Sequence, residues 1–199
     1  MNSPTTATQT TLLTSHKGVD LHAASALLVM KERLEGGDRL ARLFRCELHT
    51  FWDTPDGWDA ARLLDIGRFY NPNKHHFGMF AGPADGAAWN TDETSGQRLT
   101  GAWPGPVQDT DLEARQSDSA ALYNALLGGV VPDDCTPFDV VSFPYGQAGP
   151  VVSGVLWRLV LWAEAGEAAE IGEKLAVARH RKQGLLINPH MESWFAVAW

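Results

Sequence analysis

The stretch FYNPNKHHFGMF, residues 69–80, holds the side chains best suited to chemistry, because a lysine and two adjacent histidines follow an Asn-Pro pair. A histidine titrates near neutral pH and can exchange protons with a substrate. Upstream, Glu47 and His49 are two residues apart in one predicted strand, so they lie on the same face and could join this group. The candidate catalytic residues for general acid–base chemistry are therefore Lys74, His75, His76, His49 and Glu47. The alternative is that they are polar residues on the solvent faces of strands.

The same histidines do not predict a metal centre. His75 and His76 are adjacent, so in a strand they point to opposite faces and cannot bind one ion together. One of them could combine with His49 or Glu47, since two imidazoles and a carboxylate can hold a metal. The chain nevertheless lacks the HExxH pattern and any pair of histidines at i, i+4 spacing. We expect neither a metal nor a cofactor.

The Asn-Pro pair recurs later in the chain, which indicates that the pair is structural and that any chemistry lies in the residues that follow it. GRFYNPNKHHFGMF (residues 67–80) aligns without gaps on GLLINPHMESWFAV (residues 184–197), but the lysine and histidines are not repeated. Upstream, LFRCEL (residues 43–48) aligns with LWRLVL (residues 156–161), which places Arg45 on Arg158. Proline prevents helical continuation, so each Asn-Pro pair is interpreted as a corner between a helix and a strand.

Periodicity and turn residues predict a similar series of elements in both halves. The first half contains strands at Thr10–Ser15, Leu40–Trp52 and Lys74–Ala81 and helices at Asp20–Glu35 and Asp59–Ile66. The second half contains strands at Gln97–Trp103, Asp139–Phe143, Val152–Ala163 and Met191–Trp199 and helices at Ser117–Leu127 and Glu167–Gln183. The pattern predicts an α+β protein of two tandem ferredoxin-like (βαββαβ) halves, residues 1–82 and 97–199, joined by a linker at 83–96. The two halves would form a pseudo-dimer with antiparallel sheets.

This order of elements resembles the small subunit of phosphoribosylformylglycinamidine synthase, the PurS family. The segments HKGVD (16–20) and WPGPVQD (103–109) resemble its first strand-to-helix junction. RLFRCEL and VLWRLVL stand where its arginine-rich strand lies, and YNPNKHHF and INPHMESWF stand at its terminal Asn-Pro. The chain departs from the family because it has no Arg-x-Gly-Lys, a shortened first hairpin and a long segment at 130–149.

The resemblance implies a binding role without catalysis. Members of the PurS family are dimers that bridge a synthetase and a glutaminase and have no catalytic residues of their own, so a tandem copy would resemble a fused dimer. The loop PYGQAGP (144–150) is a shaped projection between two predicted strands, of a kind that often binds partners. The candidate binding residues are Tyr145 and Gln147 in this loop, Arg45 and Arg158 in the arginine-rich strands, and Trp194.

Composition excludes several functions. The formal charge is −8 and no basic stripe occurs, so we expect no nucleic-acid partner. No apolar run reaches the roughly 18 residues of a membrane helix and no signal-peptide pattern opens the chain, so we expect a cytoplasmic protein without membrane contact. Cys46 and Cys135 are the only cysteines, too few for a disulfide framework, and Cys46 is expected in the core.

These observations favour a non-catalytic partner-binding or scaffold subunit, with a protein partner or self-association. The alternative is a small-molecule enzyme of the duplicated ferredoxin-like type that uses the Lys-His-His strand. A third hypothesis is a small-molecule ligand held between the two halves.

Overall fold

The computed structural model describes residues 8–54, 61–83, 98–102, 105–106, 119–147 and 151–198. Its strands are β1 (Thr8–His16), β2 (Leu40–Thr54), β3 (His75–Pro83), β4 (Arg98–Ala102), β5 (Gly105–Pro106), β6 (Thr136–Pro144), β7 (Val151–Leu161) and β8 (Glu192–Ala198). Its helices are α1 (Leu21–Arg33), α2 (Arg62–Asp65), α3 (Ser119–Leu126) and α4 (Ala165–Ala176), with a 3-10 turn at Gly37–Arg39. The α+β class predicted from the sequence is confirmed. The predicted linker lies outside the described residues except for Pro83.

The described strands form one continuous sheet in the order β4-β8-β6-β7-β2-β1-β3-β5. Neighbouring strands are antiparallel except β4 and β8, which are parallel. The long strands β2 and β7 meet at the centre, with pairing that runs from Leu40↔Leu161 to Phe51↔Val151. The two predicted halves are therefore joined edge to edge through the backbone.

The ferredoxin-like plan of each half is not confirmed. In a split β-α-β unit the helix connects two parallel strands that leave room for a third strand between them. Here α1 connects β1 to β2, which are direct antiparallel neighbours. Among the described strands of the second half, β4 is at the edge of the sheet and pairs with β8 alone. The elements occur in the predicted order, but their pairing differs.

The sheet nevertheless contains two three-stranded units with matching registers, β3-β1-β2 and β8-β6-β7. Strands β1 and β6 are both nine residues long, and the residue numbers of β6 are 128 higher than those of β1. Strand β8 begins 117 residues after the start of β3. With these offsets the pair Leu12↔Met79 corresponds to the pair Val140↔Ala196. The pairs Leu13↔Leu48 and Val141↔Leu156 correspond in the same way, with an offset of 108 between β2 and β7.

This register corrects the alignment of Arg45 on Arg158. At an offset of 108, Ser153 is the residue of β7 that corresponds to Arg45. Arg45 lies on the face of Glu47 and His49, whereas Arg158 lies on the opposite face with Leu156, because successive strand residues alternate. A shift of one residue in register reverses the face of every side chain, and the sequence alignment was shifted by an odd number of residues.

The two Asn-Pro corners have the same hydrogen bonds. Asn71 accepts the backbone N–H of Asn73 on its side-chain oxygen, at 3.0 Å, and Asn188 accepts that of His190 at 3.0 Å. In each corner the Asn carbonyl also accepts two backbone N–H groups, those three and four residues later. Gly67 and Gly184, four residues before the two asparagines, both have a positive φ, of 70° and 76°. The corners were predicted as structural, and the geometry agrees.

Hydrophobic clusters cover both faces of the sheet. On one face α3 contributes Leu122 and Leu126 to a cluster that contains Leu13, Cys46 and Phe195. Cys46 is fully buried, as expected, and burial raises the pKa of its thiol above its usual range. The other face packs against α1 and α4 in a cluster with members such as Met30, Trp157 and Leu175, and against α2 in a smaller one with Leu63 and Phe51.

Helix α4 ends earlier than predicted. The periodic pattern extended it to Gln183, but the helix ends at Ala176. Val177 is extended and forms a bridge with Ile187, and the N–H groups of Leu185, Leu186 and Ile187 bond the last helical carbonyls. Residues 185–187 thus make the hydrogen bonds that a further helical turn would have made. Arg179 and the basic residues after it therefore lie outside the helix.

Candidate functional site

The turn into α1 positions the first polar group of the candidate site. Asp20 caps α1, with its Oδ1 atom accepting the N–H groups of His22 at 2.8 Å and Ala23 at 3.1 Å. Aspartate is a favoured cap because its carboxylate satisfies N–H groups that have no partner in the helix. The second oxygen, Oδ2, is buried and accepts no hydrogen bond within the described residues. Asp20 belongs to the wall of a pocket.

The inter-half pocket lies between α1 and α3, where β1 ends and β2 continues. Its volume is about 450 Å³, and it is lined by the turn before α1, the first half of α1, residues 42–45 of β2, His76 of β3 and the end of α3. The ladder between β1 and β2 ends at Thr14↔Glu47, so residues 42–45 border the pocket along the edge that β1 does not cover. The walls of this pocket come from the predicted first half and from α3 of the predicted second half.

Arg45 connects the pocket to the central seam of the sheet. Its guanidinium lies 3.6 Å from Asp20 Oδ2 and 3.2 Å from Glu47 Oε1, and it lies over the ring of Trp157 at 5.9 Å. The side chain is only 15% exposed, so these contacts hold it in one orientation at the pocket wall. Arg42 also lines the pocket and is exposed.

The structure separates the five predicted catalytic residues. His76 lines the pocket, whereas His75 points to the other face and packs edge-on against His16, with 5.1 Å between ring centroids. Lys74 is exposed and Glu47 pairs with Arg45. The Lys-His-His run therefore does not converge on one point.

His49 lies away from the pocket. Its Nδ1 atom is 2.8 Å from the Ser153 hydroxyl, and its ring packs on Phe69 at 4.8 Å. Burial lowers the pKa of His49, against the opposing effect of Glu47, which raises it. The imidazole is held at the seam between β2 and β7, and this geometry favours a structural role.

Arg158, a predicted binding residue, is buried in an internal network. It donates two hydrogen bonds to the carboxylate of Asp139, at 2.8 and 2.7 Å, and a third to Asn124 at 2.8 Å. The hydroxyl of Tyr123 donates to the same carboxylate at 2.8 Å. Arg158 is 2% exposed, so its side chain is not accessible to a partner in this structure.

The other predicted binding residues also make internal contacts. The Gln147 amide bonds both the N–H and the carbonyl of Ser153 and closes the loop between β6 and β7. The Tyr145 hydroxyl donates to the Pro189 carbonyl at 3.3 Å, and Trp194 is 3% exposed. Of the predicted binding residues, Arg45 is the one that lines the inter-half pocket.

An apolar surface lies beside the pocket, on the outward side of α1. Leu21 and Leu28 are 74% and 62% exposed, and Val29 is 43% exposed. Val19, in the turn before the helix, is 76% exposed and lines the pocket. Leucines seven residues apart lie on one side of a helix, and we call the exposed apolar residues Val19, Leu21, Leu28 and Val29 the α1 face. Sequence reasoning missed this face because helix α1 has apolar residues on both its inward and its outward side.

Sequence reasoning also missed the pocket residues Asp20, Arg42 and His16. The signal was the turn HKGVD, which was interpreted only as a junction between a strand and a helix. Asp20 and His76 are distant in the chain and line the same pocket because β1 and β3 pair. Among the described residues, no group of three or more His, Cys, Asp or Glu side chains is placed to hold a metal. In the same part of the chain, no helix has the length and apolar character needed to cross a bilayer.

The described residues define an α+β protein with one sheet and a pocket between α1 and α3. No family model, curated protein or solved structure matches the chain. The resemblance to the PurS family therefore stays a prediction.

Proposed function

We propose that this protein is a non-catalytic binding subunit, a scaffold similar in kind to PurS, and that the α1 face binds its protein partner. The observation that carries the proposal is the exposure of Leu21, Leu28 and Val29 on one helix. Exposed apolar clusters mark interaction sites, and anchors at i, i+7 and i+8 fit a partner with an apolar groove that receives a helix. The separation of the five predicted catalytic residues supports the same function.

An internal duplication, with each half derived from a ferredoxin-like unit, forms part of this proposal. The matching registers of β3-β1-β2 and β8-β6-β7 and the equal hydrogen bonds at Asn71 and Asn188 support it. The seam between β2 and β7 would then be the former dimer interface. We place the protein in the cytoplasm, as predicted above.

The test is isolation of the tagged protein from its native cells at matched expression. We expect the wild type to co-purify with one partner at fixed stoichiometry. The double variant Leu21→Glu/Leu28→Glu is expected to be purified without that partner. The control is Ile66→Glu/Leu185→Glu, which places the same charges on apolar residues that are also exposed but lie outside α1. The proposal is wrong if the control loses the partner equally, or if the purified wild type has no partner in its native cells.

A small-molecule enzyme is the second candidate, favoured by the presence of His76 in a pocket with Asp20 and Arg45. Comparison of His76→Gln with His190→Gln separates the two functions, since His190 is exposed and lies outside both α1 and the inter-half pocket. An enzyme would lose its turnover in the first variant alone. A scaffold would keep its partner in both.

A further inference from the structure

We propose that the inter-half pocket binds a small organic acid that combines an apolar body, one carboxylate and one hydrogen-bond donor. Its volume of about 450 Å³ falls within the range of small-molecule sites, which is roughly 300–1,000 Å³. Such sites are mainly apolar, with a few polar groups that orient the ligand. The inter-half pocket has this composition. Binding of a ligand there does not require the proposed partner surface on the outward side of α1.

The carboxylate is inferred from the charges at the wall. The charged side chains of the lining are two arginines, Arg42 and Arg45, and one carboxylate, Asp20, in a protein whose formal charge is −8. Arg45 is already neutralised by Asp20 and Glu47. Arg42 forms no ion pair within the part of the chain that the structure describes and is exposed, which leaves its guanidinium for an anion.

The hydrogen-bond donor is inferred from Asp20. Its Oδ1 atom is occupied by the helix cap, whereas Oδ2 is buried and its nearest cation, Arg45, lies at 3.6 Å, too far for a hydrogen bond. A buried acceptor without a donor is unfavourable, so a hydroxyl or amino group that enters the pocket would gain a strong, charge-assisted bond there.

The apolar body is inferred from the remaining walls. Leu27 of α1, Phe44 of β2 and Leu126 of α3 approach from three different elements. Their side chains would contact a ring or a branched chain between the two polar ends. An inorganic anion would leave these surfaces uncovered, so we expect it to bind more weakly than an organic acid.

Calorimetric titration of the full-length chain tests the proposal with four probes: phenyllactate, its methyl ester, phenylpropionate and inorganic phosphate. We expect saturable binding of phenyllactate and at least roughly tenfold weaker binding of the ester, which lacks the charge, and of phosphate, which lacks the body. Phenylpropionate lacks the hydroxyl and is expected to bind more weakly than phenyllactate to the wild type. That difference should disappear in Asp20→Asn, which keeps a good helix cap.

Arg42→Gln is expected to weaken phenyllactate binding by roughly tenfold, and the matched control Arg181→Gln, also exposed but outside the pocket, to leave it unchanged. Amide shifts in the NMR spectrum should change at Gly18, Ala24 and Gly128. Leu21→Glu/Leu28→Glu should bind the acid normally, so loss of partner binding and loss of acid binding are distinguishable. Absence of saturable binding up to roughly 10 mM, equal binding of acid and ester, or shifts confined to other regions would each overturn the proposal.

Discussion

At the scale of single residues, the two strand arginines show how similar sequence surroundings lead to different roles. Arg45 lies at the edge of a pocket and is paired with carboxylates on two sides, whereas Arg158 is enclosed beneath α3 and bonded to Asp139. The positions that correspond to Asp139 and Arg158 by register, Thr11 and Thr50, hold a hydroxyl pair at 3.1 Å. One three-stranded unit therefore uses an ion pair where the other uses a neutral hydrogen bond.

This difference predicts unequal costs of mutation. Asp139→Asn leaves Arg158 charged and buried, so we expect a loss of about 3–5 kcal/mol in the free energy of unfolding. Thr11→Val removes one partner of a neutral bond and is expected to cost about 1 kcal/mol. Urea unfolding of both variants checks the comparison. A cost below about 1 kcal/mol for Asp139→Asn would contradict the structural role of the pair.

At the scale of elements, the two glycines before the Asn-Pro corners have similar backbones and different surroundings. Gly67 and Gly184 both have φ near +70° to +76°, which L-residues adopt at a cost. A Cβ atom added to Gly67 would meet open space, whereas one added to Gly184 would overlap the carbonyl of Val177. The overlap arises because the chain after α4 folds back against the end of that helix.

We therefore expect Gly67→Ala to lower the free energy of unfolding by about 1–2 kcal/mol, from backbone strain alone. Gly184→Ala adds a steric conflict with backbone atoms and is expected to cost more than about 3 kcal/mol or to prevent folding. Thermal and urea unfolding of the two variants gives the difference. Equal costs would show that the packing of residues 184–187 against α4 does not constrain Gly184.

At the scale of the whole molecule, the seam between β2 and β7 makes the halves interdependent. The cluster under α1 and α4 combines Met30 and Leu40 with Trp157 and Leu175, and the cluster under α3 combines Leu48 with Val141. Each half alone would expose the unpaired edge of its central strand, β2 or β7, and the apolar residues that pack beside that strand. Exposed edges of this kind pair with other chains and promote aggregation.

A chain cut between residues 83 and 98 tests this interdependence. We expect the two fragments, expressed separately, to be unfolded or aggregated, and refolding them together to restore the native spectrum. The physical reason is that the seam and both main clusters form only when the halves meet. Dispersion in the proton–nitrogen NMR spectrum is the measurement. Two fragments that fold independently as monomers would contradict the expectation.

The sequence by itself determined the α+β class, the positions of most strands and helices and the structural nature of the Asn-Pro corners. These features depend on local rules: side-chain period, turn residues and the restriction of φ by proline. It also placed Glu47 and His49 on one face of a strand, and in β2 they share a face opposite Cys46 and Leu48 of the core. Alternation along a strand is enough to give this result.

Only the tertiary structure decided which strands pair, which face Arg158 occupies and which polar side chains converge. The pairing of β2 with both β1 and β7 brings distant segments together in a register that no local pattern encodes, and a slip of one residue reverses every face. The pocket of Asp20, Arg42 and His76 forms for the same reason. Its residues belong to different elements, and their proximity follows from strand pairing and helix packing rather than from spacing along the chain.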